Sequence, residues 1–509
     1  METPCKILIL LVLLWCGIGA NSEDVSSLCS RCTCLIANQT SAVMSYDLLD
    51  CSRSNLQSMI TEWPEQIDTN DPEREIVFSL SGNSIETLEQ LPATNTTLVF
   101  TCRHSKVKSL ANGLFIDSPN VLRVDLSWNM LDGEQLTAEV FRGPYNDHEN
   151  TRALLLDELD LRSNAITYLL ENAFEHITSL RQLSLARNPL KQITQGTAKA
   201  LAQLVNIEIL DLSFASLTDI EATAFVGMHG LRELYLQGNQ LTELPEAIFQ
   251  LSALVSLHVG ENPIEILNIP SPLDQLQHLN ISSMPFLHTI EVESFQNIKS
   301  LQTLTGRNNS ALEIFDLSVL RHVAGLQELD LSQSNLKHLS TPLEEGFHEE
   351  LPQPEPKPYV NVLEVLGLRE NPWHCDCDLQ QILKQINYQR LLDPDEETRC
   401  ETPYMFSSLH LTDLDYIEVC DSPANDGPKN PGYEKPAFLR PRAIFLSLLS
   451  VGVVLGLGVI IGLFIVCLKR RLKNNRIAFS SSVRYTSVRE STASKGLPRG
   501  AIAIQYVYE

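Results

Sequence analysis

Along most of the chain, apolar residues recur in a fixed order: two leucine-type positions separated by one residue, then an asparagine, then two more apolar positions. Residues 231 to 244, LRELYLQGNQLTEL, show it in full, and it returns as VDLSWNML, LDLRSNAI, LSLARNPL, LHVGENPI and LDLSQSNL. Aligned on the asparagine column, the units fall at 83, 105, 129, 164, 188, 215, 239, 262, 284, 309, 334 and 371, and nine of the eleven successive gaps lie between 22 and 27 residues. Alternation of this kind predicts a short strand with its leucines on one face. A single unit cannot bury that face alone, so neighbouring units must stack to build a core. The expected product is a solenoid of about a dozen coils with a parallel sheet roughly 50 Å long on its concave side.

That period defines a leucine-rich repeat array, and the fold class it predicts is an α/β solenoid, a horseshoe with a concave parallel β-sheet. The asparagine side chain is suited to satisfying buried backbone groups at the turn. Ser105, Ala215, Met284 and Ser334 depart from that column, and Asn309 fits only with a loosened frame around Gly306, so repeats two, nine and ten match least well. Phe115, Phe174, Phe225 and Phe295 recur at similar offsets and predict a buried aromatic row on the convex side. The two long gaps, of 35 and 37 residues, contain the polar inserts 142–152 and 341–358, which should loop out of the array.

Two further apolar runs are unbroken rather than periodic. The first, Ile7 to Trp15 behind Lys6, ends in small residues and has the layout of a secretory signal, with cleavage expected between Gly19 and Ser22. The second, Ala443 to Leu468, is 26 residues without a charge, long enough to cross a bilayer as one helix. Lys469, Arg470 and Arg471 follow at once, which places the tail in the cytoplasm and the repeats outside.

Charge divides at the same boundary. The tail carries nine Lys/Arg against two Asp/Glu, whereas residues 21–442 carry 28 against 60, a net −32. A surface that acidic argues against nucleic acid as a partner. The sequons at Asn38, Asn95, Asn280 and Asn308 all precede the apolar span, so all four are expected to be glycosylated on the outer side.

The segment NPWHCDCDLQQIL, residues 371–383, poses the one question of chemistry. His374, Cys375 and Cys377 could hold zinc, act as a redox pair, or belong to a disulfide knot. Cysteines cluster at both ends of the array: Cys29, Cys32, Cys34 and Cys51 in front, Cys375, Cys377, Cys400 and Cys420 behind. Solenoid ends need caps, and an oxidising compartment favours disulfides over thiolate metal sites. Each set of four still allows three connectivities. Cys102 stands apart, at an inward strand position where a small apolar residue fits the core.

With C-x2-C-x-C in front and N-P-W-x-C-x-C behind, the chain resembles extracellular leucine-rich repeat proteins with cysteine-rich caps. Its whole plan is similar to single-pass proteins of the tartan/capricious and trophoblast-glycoprotein type. The resemblance implies pairs Cys29–Cys34, Cys32–Cys51, Cys375–Cys400 and Cys377–Cys420. It departs in front, where sixteen residues separate Cys34 from Cys51. It also implies binding of other proteins through the concave face, with no catalytic role, and no cofactor or metal is expected.

The expected organisation is a signal peptide at 1–20, an N-terminal cap at 21–65, repeats at 66–370, and a C-terminal cap at 371–420. A proline-rich stalk at 421–442, a transmembrane helix at 443–468 and a cytoplasmic tail at 469–509 complete it. On the concave face, Trp128 and Phe214 stand beside the asparagine column, with Tyr235 and His258 one strand position away and Arg103, Arg162 and Arg187 interspersed. These seven residues predict a strip of the composition enriched in binding hot spots. Within the span, Gly452-x3-Gly456 and Gly458-x3-Gly462 would let two copies approach as a homodimer. Cys467 is a candidate for palmitoylation, and Tyr485, Tyr506 and Tyr508 are candidate modification sites in the tail. The function expected is a plasma-membrane recognition or adhesion receptor for an extracellular protein. The competing expectation is a co-receptor or antagonist that sequesters or internalises a secreted ligand without signalling.

Overall fold

The computed structural model describes residues 25–36, 46–144, 153–340, 363–386, 391, 398–417 and 419–420. The predicted signal, Asn38, most of both inserts, the stalk, the span at 443–468 and the tail with Cys467, Tyr485, Tyr506 and Tyr508 lie outside these. Among the described residues no helix is long and apolar enough to cross a membrane.

Fourteen strands form one sheet, ordered along it as they are along the chain. Twelve of them are the repeat strands, from Glu75–Ser79 in repeat one to Val365–Gly367 in repeat twelve. They pair parallel with the inward residues in register: Leu159 faces Leu183, which faces Leu210, then Leu234, Leu257 and Leu279. Because successive side chains alternate faces, this register stacks the leucines in one column. Leu159, Leu210, Leu234 and Leu257 are fully buried. Each such burial is worth about 1.5–3 kcal/mol.

The remaining two strands are not repeats. Tyr46–Asp50 adds parallel to repeat one, and Thr33–Leu35 adds antiparallel to Tyr46–Asp50. The front cap thus extends the sheet and then reverses it, which covers the unpaired edge of the first coil. Cys32 is bonded to Cys51 and Cys29 to Cys34 across this turn. At the other end Trp373 is fully buried and donates from Nε1 to Leu368 O at 3.0 Å. Asp376 caps the helix Cys377–Gln385 by accepting from Leu379 N at 2.9 Å. Cys375 is bonded to Cys400 and Cys377 to Cys420, so neither sulfur is available to zinc.

The convex side corrects the α/β expectation. It returns mostly through turns and short 3-10 segments such as Glu246–Gln250, Val292–Asn297 and Leu317–His322. The reason is length: a 3-10 turn rises about 2.0 Å per residue against about 1.5 Å in an α-helix, so it spans the return with fewer residues. Between Asn188 and Ala215 the gap is 27 residues, the longest without an insert, and there an α-helix forms at Gln195–Leu201. The aromatic row Phe115, Phe174, Phe225 and Phe295 is buried beneath these returns, with Phe141 among them. At the front, Trp63, Phe78, Phe100 and Phe115 continue it as a chain of ring contacts 5.3 to 6.3 Å apart.

The asparagines tie one coil to the next. Asn188 Nδ2 donates to Leu185 O and to Leu161 O of the preceding repeat, while Oδ1 accepts from Asn164 N and Ile166 N. Where the column departs from Asn, the coil keeps its path. Ser105 Oγ donates to Leu80 O at 3.0 Å, and Ser334 Oγ to Gly306 O at 3.2 Å. Ala215 has nothing to offer, and Leu190 N turns instead to Asn188 O at 2.9 Å. Repeats two, nine and ten carry regular strands, Thr97–Thr101, His278–Asn280 and Thr303–Thr305.

Candidate functional site

The residue just before each asparagine position is left-handed in all twelve repeats. The series is Gly82, His104, Trp128, Ser163, Arg187, Phe214, Gly238, Glu261, Ser283, Asn308, Gln333 and Glu370, with φ between 50° and 72°. The strand must turn its next side chain inward to seat the asparagine, and one flipped residue achieves that. A non-glycine residue in this region is uncommon and strained, and the asparagine bonds offset the cost. The N–H groups of the column still bond across coils, Trp128 N to Arg162 O at 2.9 Å and Phe214 N to Gln237 O at 2.9 Å. The column therefore advances one coil at a time along the edge of the concave sheet, its side chains turned out.

Three local stacks occupy this face. The imidazole of His104 lies against the indole of Trp128, centroids 4.9 Å apart and planes 24° apart, with Trp128 half exposed. The Arg187 guanidinium carbon sits 4.4 Å from the centre of the Phe214 ring. Tyr235 and His258 are stacked at 4.5 Å with planes 11° apart. Ser163 and Arg187 separate Trp128 from Phe214 along the column, and of the seven expected side chains only those of Arg187 and Phe214, and of Tyr235 and His258, stack on each other. His104 occupies the same outward column as Trp128 but is not one of the seven expected binding residues. Neither is Gly238, where a Cβ would lie 2.3 Å from Cδ1 and Cε1 of Phe214. Its bare backbone is the seat of that ring.

The arginines divide. Arg103 is paired with Asp125 of the next coil, and Arg162 with Asp160 at 2.7 Å. The same aspartates bond the backbone two residues on: Asp125 accepts from Ser127 N and Asp160 from Arg162 N, both at 3.0 Å. Asp211 and Asp330 repeat the motif with Ser213 N and Ser332 N. The aspartates of the L-D-L-S pattern are thus turn-formers, and Arg103 and Arg162 neutralise them. Burial holds the Asp160 carboxyl above its usual range, partly opposed by its bonds to Arg162.

Burial also governs the Tyr235 and His258 stack. It is the main cause that pushes the Tyr235 phenol up to about 12, assisted by the hydrogen bond it donates to Glu233 at 2.7 Å. Burial lowers His258 below the ordinary imidazole value, against the opposing pull of Glu233 and Asp211. His258 Nε2 shares a 3.0 Å hydrogen bond with Ser256 Oγ. Cys102 is fully buried in the core, where desolvation raises its thiol to about 11. Among the described residues, no group of three or more His, Cys, Asp or Glu could hold a metal ion.

The sequon asparagines differ in setting. Asn95 is exposed ahead of the repeat-two strand. Asn308 is exposed on the left-handed column and donates to Ser283 Oγ at 3.1 Å. Asn280 ends a concave strand, half-buried, with Oδ1 accepting from Ser282 N at 3.0 Å.

A leucine-rich repeat family profile matches residues 205–264. Chicken lumican is 28% identical over 287 residues, covering 54% of this chain and 74% of lumican. Mouse CD180 antigen is 26% identical over 293 residues, covering 56% of this chain but only 41% of that protein. Among solved structures, a chain of the octameric complex of latrophilin 3, Unc5D and FLRT2 aligns over 74% of this chain and 96% of its own, at 18% identity and a TM-score of 0.47. The chain is a leucine-rich repeat protein related to small leucine-rich repeat proteoglycans and extracellular leucine-rich repeat receptors.

Proposed function

We propose that this leucine-rich repeat protein is a cell-surface recognition protein that binds an extracellular protein through the amino-terminal and middle coils of its concave face. The observation that carries the reading is the set of outward stacks His104–Trp128, Arg187–Phe214 and Tyr235–His258, spread over repeats two to eight. Aromatic and arginine side chains concentrate binding energy at protein interfaces. Here neighbouring coils hold them in place, which lowers the ordering cost of binding. Glycans on Asn280 and Asn308 would occupy the later coils and direct a partner to the earlier ones. The apolar run at 443–468 supplies the anchor, with the disulfide-capped repeats outside and the basic tail inside.

Proximity labelling on intact cells tests this. The full chain should enrich extracellular or surface proteins that are lost when Trp128→Ala and Phe214→Ala are combined and surface display is unchanged. An identical labelled set from the double variant would remove the docking site. A sequestering role, in which the repeats hold a secreted ligand and the basic tail at 469–509 transmits nothing, is the second reading. Deleting that tail should abolish a response that depends on signalling and leave sequestration intact.

A further inference from the structure

We infer that Arg187 is a preformed receptor for a carboxylate of the docked protein, so that the partner presents an Asp or Glu side chain to repeats five and six. This rests on the reading that a protein docks on this face. The concave arginines of the repeats are not all used alike. Of the five that repeats two to eleven project from strand or turn, Arg103, Arg123, Arg162 and Arg307 each meet a carboxylate of this chain: Asp125, Glu158, Asp160 and Asp330. Arg187 meets none among the described residues.

Its neighbours on the left-handed column are Ser163 and Phe214. Asp211, the carboxylate of the adjoining coil, is taken up by the hydroxyls of Ser213 at 2.6 Å and Ser184 at 3.1 Å. In a segment of net charge −32, Arg187 shares the lack of a carboxylate partner among the described residues with Arg369 of repeat twelve, and differs from it in lying over an aromatic ring.

It is also held in place. The Phe214 ring lies beneath the guanidinium at 4.4 Å, and the ring occupies the space that a side chain at Gly238 would fill. A cation over a ring is restrained without spending its N–H donors. A guanidinium offers those donors as a planar fork that matches a carboxylate in two parallel hydrogen bonds. Restraint before binding lowers the entropic cost of forming them. Replacing the ring should therefore weaken carboxylate capture without removing the charge.

Arginine footprinting on the full chain in detergent tests this, with phenylglyoxal as reagent, peptide mass spectrometry as readout, and hexaglutamate as probe. Arg187 should react severalfold faster than the ion-paired Arg162. Hexaglutamate should slow Arg187 and leave Arg232, an exposed arginine with no aromatic beneath it, unprotected; neutral hexaglutamine should protect neither. Phe214→Leu should keep the reactivity of Arg187 and reduce the protection severalfold. Equal rates at Arg187 and Arg162, or equal protection of Arg187 and Arg232, would overturn the inference. Failure of the docking reading would appear separately, in the cell-surface labelling, since the footprint needs no partner.

Discussion

The ring of Tyr235 lies against the imidazole of His258, their centroids 4.5 Å apart and their planes 11° from parallel. The two residues are one coil apart, in register across adjacent strands, so a single step of the solenoid creates the contact. Its position buries an imidazole that would otherwise titrate freely.

Acid should weaken the fold through His258. Burial lowers its proton affinity in the native state, so as pH falls the unfolded chain binds the proton first. The contribution of this group to stability is full above about pH 6.5 and is lost progressively as pH drops through the lower native value. The thermal midpoint of the His258→Gln variant should fall less than that of the parent between neutral and mildly acidic buffer. Parallel declines would show that His258 is not a source of the acid sensitivity.

Asn188→Ala should be among the most damaging single changes in the array. It strips the partner from Leu185 O, Asn164 N and Ile166 N inside the coil, and one of two donors from Leu161 O, which keeps Asn164 Nδ2. Leaving a buried polar group unsatisfied costs about 1–3 kcal/mol, so the sum should exceed a typical core truncation. A denaturant midpoint within error of the parent would refute the ladder as a source of stability.

Gly238→Ala addresses the seat of Phe214. The new methyl would meet the ring at 2.3 Å, in a backbone with φ of 70°. Alanine in this left-handed region costs about 1–2 kcal/mol, and the ring must swing away from Arg187. Hydrogen exchange should rise at repeats six and seven and stay unchanged at repeats two and three.

Replacing Cys375 and Cys400 together by Ser should destabilise the rear cap. The bond spans 25 residues, for which loop-closure entropy gives about 3–4 kcal/mol. Proteolysis should begin in the segment after Asn371 while the front repeats resist. Uniform cleavage along the array would contradict a cap that acts locally.

How much of this was legible differs by feature. The twelve strand positions follow from the spacing of the leucines, because the period-two alternation and the 22-to-27-residue step are local properties of the chain. Even the weak repeats at Ser105, Met284 and Asn309 keep the frame, since the coil is set by its neighbours as much as by its own asparagine. The α/β character was overestimated: whether a return is an α-helix or a 3-10 turn depends on how many residues must span a distance set by the adjacent coils. The fates of Arg103 and Arg162 were hidden because their partners, Asp125 and Asp160, also serve as backbone caps.

The sequence by itself determined the number of coils, which leucines face inward, and where the sulfur-bearing caps close the ends. These depend on short-range periodicity and on the need of every coil for a neighbour. Only the tertiary structure decided which outward residues touch: His104 with Trp128, Arg187 with Phe214 over Gly238, and Tyr235 with His258. Those contacts join residues some two dozen positions apart, across adjacent strands or along a left-handed column, and their side-chain directions exist only once the coils have stacked.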